Sequence, residues 1–90
     1  MKKEISQEQV KVIQMFAAHP EEWFSSSDVV RHCEVKPSTV IHLLLGFCRD
    51  GLLERFELFP GFRYRLSPSA PSHPYFVKVQ QAAEVMGESN

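Results

Sequence analysis

The sequence lacks the features that mark several protein classes. Its two cysteines are too few for the disulfide framework of a small secreted domain, and its four glycines form no phosphate-binding loop. The longest apolar run, residues 40–47, is interrupted by His42 and is too short to span a bilayer. No apolar stretch follows the N-terminal lysines, so no signal peptide is predicted. These absences favour a cytoplasmic protein that makes no use of a membrane.

Patterns for catalysis and metal binding are also missing. Cys33 and Cys48 have histidines nearby, but the spacings match no common zinc pattern, so both are expected to be small buried thiols. No Ser/His/Asp or Cys/His arrangement has a supporting motif. We therefore expect no metal, no cofactor and no enzymatic activity.

The composition is that of one ordinary globular domain. Of the 90 residues, 43% are hydrophobic and 23% are charged, which is typical of a folded chain with a single core. The net charge is −1, so no strongly basic stripe runs through the sequence. All the arginines nevertheless fall within residues 31–65, which makes this middle segment mildly cationic.

Apolar periodicity and capping residues predict the first two helices. The first covers residues 6–18 and begins at Ser6 and Gln9, which have the spacing of a capping box. The second is short, covers residues 28–33, and follows a run of serines. A tight turn at residues 34–36 then leads into the third helix.

The third helix is predicted over residues 38–49, after Pro37, which suits a first helical turn. One apolar face of this helix consists of Val40, Leu44, Phe47 and Cys48. Gly51 ends it, because glycine readily takes the left-handed cap.

A β-hairpin is predicted next, with strands over residues 52–58 and 64–66 and a turn at residues 59–62. Alternation gives it one apolar and one charged face, and the parity of that alternation favours a three-residue loop. Glu57 would then pair with Arg63 or Arg65. Upstream, Trp23 and Phe24 are candidates for a short edge strand.

A serine- and proline-rich segment separates the hairpin from a fourth amphipathic helix, predicted over residues 74–86. We therefore divide the chain into residues 1–68 and an appended segment, residues 69–90. The apolar stripe of the fourth helix either folds back on the domain or pairs with a second copy of the chain. The candidate homodimer contacts are Tyr75, Phe76, Val79, Ala83 and Met86.

The order of elements is that of a winged helix-turn-helix domain. Residues 27–55 read SDVVRHCEVKPSTVIHLLLGFCRDGLLER and resemble the helix-turn-helix of MarR-, ArsR- and IclR-type bacterial regulators. These families commonly start the recognition helix with Ser-Thr-Val, here residues 38–40. They end it with a Leu-x-x-Leu-x-x-x-Gly-Leu pattern, matched here by Leu44, Phe47, Gly51 and Leu52. Residues 61–68, GFRYRLSP, resemble the second strand of the wing.

The resemblance covers residues 5–68. It implies an α+β winged helix-turn-helix fold with an added C-terminal helix, and a transcriptional regulator that binds double-stranded DNA. In such proteins the third helix lies in the major groove and the wing contacts phosphate or the minor groove. The residues implied to face bases are Ser38, Thr39 and His42. Those implied to reach phosphates are Lys36, Arg49, Arg55, Arg63 and Arg65.

A second hypothesis stays open, in which the domain binds a protein partner in a larger assembly and does not contact DNA. A helix that is apolar nearly all round is usually buried on more than one side, and the third helix has extra apolar residues outside its core face. Two aromatic residues also flank the wing turn. The candidate partner contacts are Ile41, Leu43, Leu45, Phe59 and Phe62.

Overall fold

The chain folds into helices and a hairpin in the predicted winged helix-turn-helix order. The computed structural model describes the backbone of residues 6–88 and the side chains of residues 6–81. The elements are α1 (Gln7–Ala18), α2 (Ser26–Cys33), α3 (Pro37–Arg49), β1 (Leu53–Leu58), β2 (Gly61–Leu66) and α4 (Pro74–Glu88). A single 3-10 turn, Ala70–Ser72, precedes α4. The α+β prediction is confirmed, and none of the described helices is long and apolar enough to cross a membrane.

Helix α1 begins with the predicted capping box. The Ser6 hydroxyl accepts a hydrogen bond from the Gln9 amide at 3.2 Å, and the Gln9 side chain accepts one from the Ser6 amide at 2.8 Å. Both bonds satisfy amides that have no partner inside the helix. The helix then contributes the largest group of core side chains, Val10, Val12, Ile13, Met15 and Phe16.

Helix α2 begins at Ser26, two residues before the predicted start, because Ser25, the first residue of the serine run, is its N-cap. The Ser25 hydroxyl accepts from the Asp28 amide at 3.1 Å, and the Asp28 carboxylate accepts from the Ser25 amide at 3.0 Å. These hydrogen bonds to the Ser25 backbone and hydroxyl, with the charge of Arg31, outweigh partial burial and lower the pKa of Asp28. The first turn of α2 is therefore stabilised by a capping box that carries a negative charge.

The hairpin has a two-residue loop, so the predicted three-residue loop is wrong. Leu58 lies opposite Gly61, and Phe56 lies opposite Arg63, not Tyr64. The pairing of Leu53 with Leu66, both buried in the core, fixes this register. The predicted division into one apolar and one charged face is therefore also wrong.

The predicted edge strand is a single bridge between Phe24 and Tyr64. The two residues exchange backbone hydrogen bonds of 2.8 Å in both directions. The Phe24 ring packs edge-on against Phe16 of α1, with the ring centroids 5.5 Å apart. The bridge and the ring contact together connect the wing to the first helix.

Helix α4 folds back on the domain over its described length. Phe76 and Val79 are buried at 7% and 0% exposure and pack in the same core as α1. These two residues were predicted to contact a second copy, and the structure places them inside their own chain. Tyr75 packs against Phe47, while the side chains of Ala83 and Met86 lie outside the described residues.

We predict that Asp28→Asn lowers the free energy of unfolding at neutral pH by about 0.5 kcal/mol, because it removes a carboxylate from the start of α2. A carboxyl whose pKa is lowered by folding stabilises the fold above its unfolded pKa, near 3.8, and loses that effect as the pH falls through its folded pKa. The difference between variant and parent should therefore disappear in acid.

Urea denaturation across a pH series measures this effect. Glu21→Gln, which removes an exposed carboxylate from the loop after α1, is the matched control. A difference between Asp28→Asn and the parent that stays constant with pH would contradict the charged cap.

Candidate nucleic-acid interface

The turn between α2 and α3 sets the angle of the helix-turn-helix. Glu34 ends α2 in the left-handed conformation, with φ 57° and ψ 44°, and its amide donates to the Val30 carbonyl at 2.9 Å. The next residue, Val35, points into the core at 8% exposure. Lys36 is then left exposed where α3 begins, and α3 starts without a side-chain cap.

Helix α3 turns one face to the core and the opposite face to solvent. Val40, Leu44 and Phe47 are buried at 3% exposure or less, as the sequence predicts. The exposed residues of the helix beyond Pro37 are Ser38, Ile41, His42, Leu45 and Arg49; we call these the α3 outer stripe. Thr39 and Leu43 are half-buried at its margin, and Leu43 packs against the core.

The outer stripe carries polar and apolar side chains together. Ile41 and Leu45 are 42% and 46% exposed and lie one helical turn apart, so they form a small apolar patch within the stripe. Gly46 lies within the helix beside the stripe, and a Cβ added there would meet only the Arg49 guanidinium, at 3.9 Å. Nothing in the described packing therefore requires glycine at this position.

On the outer face of the wing, Arg65 is held by two neighbours. Its guanidinium forms an ion pair with Glu54 on the opposite strand, with Nε 2.9 Å from the carboxylate. It also lies over the Trp23 ring, 4.4 Å from the centroid. The indole packs edge-on against Phe56 at 4.6 Å. The partner that the sequence predicts for Arg63 or Arg65, Glu57, lies opposite Phe62 instead.

The other two wing arginines lie on opposite faces of the hairpin. Arg55 shares the face that continues into the core, and its guanidinium sits over the Phe62 ring at 4.6 Å. Arg63 is on the outer face, half-buried, and donates to the Phe62 carbonyl at 3.3 Å. Neither forms an ion pair with a carboxylate among the described residues, although the charge of Arg63 helps to lower the pKa of Asp28.

A shallow cavity of about 280 Å³ lies beside α3, between this helix and the start of α4. Its lining includes His42, Gly46, Arg49 and Tyr75. Burial raises the pKa of Tyr75, and the charge of Asp50 raises it further.

Burial likewise raises the pKa of the Cys33 and Cys48 thiols, so both remain protonated at neutral pH. Within the described part of the chain, no three His, Cys, Asp or Glu residues could hold a metal ion.

The predicted DNA contacts fall into two groups, one on or beside α3 and one on the wing, where Arg55 lies on one face and both Arg63 and Arg65 lie on the other. Lys36, Ser38, His42, Arg49 and Arg55 are exposed, whereas Thr39, Arg63 and Arg65 are half-buried. The contacts of Trp23 and Glu54 with Arg65 were not predicted from the sequence. Glu54 meets Arg65 through the strand register, and Trp23 meets it from the segment after α1.

The sequence matches the IclR helix-turn-helix domain over residues 10–56, which is more than half of the 90 residues. The matched segment runs from the first turn of α1 to the middle of β1 and includes α2, the tight turn and all of α3. The chain belongs to the IclR helix-turn-helix domain family. This family supports the assignment of a DNA-binding transcription regulator. No curated protein matches the sequence significantly.

Three solved structures show the same fold as this IclR-type domain. Bordetella bronchiseptica BpsR, whose DNA binding is regulated by 6-hydroxynicotinic acid, has a TM-score of 0.75 at 17% identity over 97% of the chain. A mutant of Staphylococcus aureus MepR bound to an oligodeoxyribonucleotide has a TM-score of 0.70 at 19% identity over 94% of the chain. The ferric uptake regulator of Francisella tularensis with iron has a TM-score of 0.68 at 21% identity over 76% of the chain.

The IclR-type chain is shorter than these three proteins. It covers 61% of BpsR, 62% of MepR and 58% of the ferric uptake regulator. At these sequence identities the likeness establishes the fold alone, and the fold hosts many functions. The activities of the three proteins therefore do not transfer directly to this domain.

We predict that Arg65→Ala lowers the free energy of unfolding by about 1 kcal/mol, because it removes a cation–π contact and a partly exposed ion pair. Arg63→Ala, the control on the same strand, should change it by less than about 0.5 kcal/mol. Urea denaturation followed by the fluorescence of Trp23 measures both. Equal losses in the two variants would contradict the described role of Arg65.

We predict that Gly46→Ala raises the free energy of unfolding by about 0.5–1 kcal/mol, because alanine is the better helix former and the added methyl meets no close atom. The matched control is Gly51→Ala, where φ is +85° and an alanine costs about 1 kcal/mol. Thermal denaturation of both variants checks the pair. A loss of stability in Gly46→Ala would contradict the open space described at this position.

Proposed function

We propose that this domain is a sequence-specific DNA-binding transcription regulator that places α3 in the major groove and the hairpin wing against the backbone or minor groove. The α3 outer stripe is the main support for this proposal. It presents a hydroxyl, an imidazole and a guanidinium in line on a helix whose opposite face is buried. A helix is the element that fits the major groove, where each base pair has a distinct pattern of donors and acceptors.

The polar members of the outer stripe suit base reading. Ser38 and His42 both donate and accept hydrogen bonds, and they lie one turn apart near the start of the helix. In helix-turn-helix proteins the N-terminal part of the recognition helix faces the base edges. Thr39, half-buried at the margin of the stripe, adds a hydroxyl nearby.

The apolar members of the stripe are also consistent with DNA. Thymine is distinguished in the major groove by its C5-methyl group, which apolar side chains contact directly. Ile41 and Leu45, exposed on the same side as His42, are positioned for such contacts. The feature that raised the protein-partner hypothesis thus has a role in a DNA-reading surface, and Leu43 packs on the core.

The basic side chains around the stripe suit phosphate contacts. Lys36 lies exposed just before α3, and Arg49 lies exposed at its last residue, so the two bracket the helix. Arg55 and Arg63 add charge on the two faces of the wing. We assign Arg65 a positioning role, because its ion pair with Glu54 and its contact with Trp23 hold the wing in shape.

A homodimer is part of the proposal, since a two-fold dimer matches a two-fold DNA site. Phe76 and Val79 are occupied by the domain's own core. The interface would therefore use the C-terminal part of α4, which includes Ala83 and Met86, rather than the whole stripe.

The test is fluorescence anisotropy with a labelled mixed-sequence duplex over a salt series. A domain that neutralises phosphates should bind at low salt, with log K falling linearly against log salt by about 0.9 per phosphate contact. Binding at low salt that weakens in this way supports the proposal and justifies a site selection. No binding at low salt would overturn it and favour the protein-partner hypothesis instead.

We predict that Arg49→Ala and Arg55→Ala each reduce the magnitude of the salt slope by about 0.9, because each removes one phosphate contact. The matched control is Lys78→Ala, which removes an exposed cation from α4, away from α3 and the wing. An equal reduction in the Lys78→Ala variant would show that general charge, rather than the described surface, drives binding.

A further inference from the structure

The most exposed large apolar side chain of the described residues lies at the tip of the wing. Phe59 is 90% exposed, and with Pro60 it forms the two-residue loop that joins β1 to β2. Single exposed aliphatic residues are ordinary on protein surfaces, but a nearly fully exposed aromatic ring at the end of a projecting hairpin is not. The ring lacks a contact that would stabilise the isolated domain.

The side chains just behind the tip combine apolar surface with two arginines and one carboxylate, that of Glu57, which is exposed opposite Phe62. Leu58 and Phe62 are 47% and 38% exposed. The Arg55 guanidinium lies over the Phe62 ring, and Arg63 is the next residue along β2. An apolar end with arginines behind it is an arrangement suited to a ligand with an apolar interior and an anionic rim.

We propose that Phe59 is a wedge that enters the minor groove and inserts between adjacent base pairs while Arg55 and Arg63 hold the flanking phosphates. The inference rests on the function proposed above and deepens it, since it names how the wing contributes to site choice. The occupant of the tip is the base stack of duplex DNA.

The shape and chemistry of the tip support this occupant. The minor groove of B-DNA is about 6 Å wide, so a narrow two-residue turn enters it more readily than a broad surface. Apolar side chains such as phenylalanine and leucine, inserted between base steps, unstack them and kink the duplex. Arg55 and Arg63 lie on opposite faces of the hairpin and outnumber the single carboxylate of Glu57, so the net charge behind the tip is positive and matches the phosphate strands that border the groove.

A wedge reads the deformability of DNA, not its hydrogen-bonding groups. Pyrimidine–purine steps such as TA unstack easily, while A-tracts are stiff. Two duplexes of identical A·T composition, one rich in TA steps and one built from A-tracts, present the same minor-groove acceptors. A difference in affinity between them therefore reports on unstacking and on groove shape.

The experiment measures anisotropy and end-to-end energy transfer with these two duplexes, labelled at both ends, for the parent chain and three variants. The parent should shorten the end-to-end distance of the TA-rich duplex on binding. Phe59→Ala should lower the TA-rich to A-tract affinity ratio about tenfold and abolish the bend. Its salt slope should stay unchanged, because no charge is removed.

Two variants make the result specific to the ring. Phe59→Leu keeps an apolar wedge and should retain most of the preference and the bend. Val77→Ala removes apolar surface from an exposed position on α4 and should behave as the parent. The fluorescence of Trp23, which contacts Phe56 and Arg65 on the wing, confirms that each variant keeps the hairpin folded.

The outcomes separate this inference from the proposed function. DNA binding by Phe59→Ala with the parent's ratio and bend would overturn the wedge and leave the regulator proposal intact. Absence of DNA binding by the parent at low salt would overturn both. A free parent chain that is dimeric in sedimentation and becomes monomeric in Phe59→Ala would show that the tip joins two copies, and would also overturn the wedge.

Discussion

Burial of one face of α3 determines which of its side chains reach solvent. Val40, Leu44 and Phe47 are buried in the core. The side chains on the opposite face of the helix are therefore exposed to solvent. Turning α3 to present any other face would expose these three side chains, at about 1.5–3 kcal/mol each. The α3 outer stripe is therefore held in place by packing behind it.

The wing is positioned by a separate set of contacts. The Phe24–Tyr64 bridge fastens the second strand to the segment after α1, and the Leu53–Leu66 pair buries the base of the hairpin. On the outer face Trp23 and Arg65 lie across both strands. These contacts hold the base of the hairpin against the helical core.

The helices could be predicted from the sequence because their signals are local. Apolar spacing identified the buried face of α3, and the Ser6–Gln9 pair identified the start of α1. The hairpin register could not, because a shift by one residue exchanges the two faces and only the distant core decides between them. For the same reason the Arg65–Glu54 pair was missed. The stripe on α4 predicted an apolar contact, but not that the partner of Phe76 and Val79 would be the chain's own core.

We propose that α3 and the wing together bind duplex DNA. An NMR titration of the labelled chain with a duplex, read as amide shift changes along residues 6–88, tests this proposal. We expect large changes at Lys36, along the α3 outer stripe and from Arg55 to Arg63, with little change on α1. Changes confined to α1 and α4, or no changes at low salt, would contradict it.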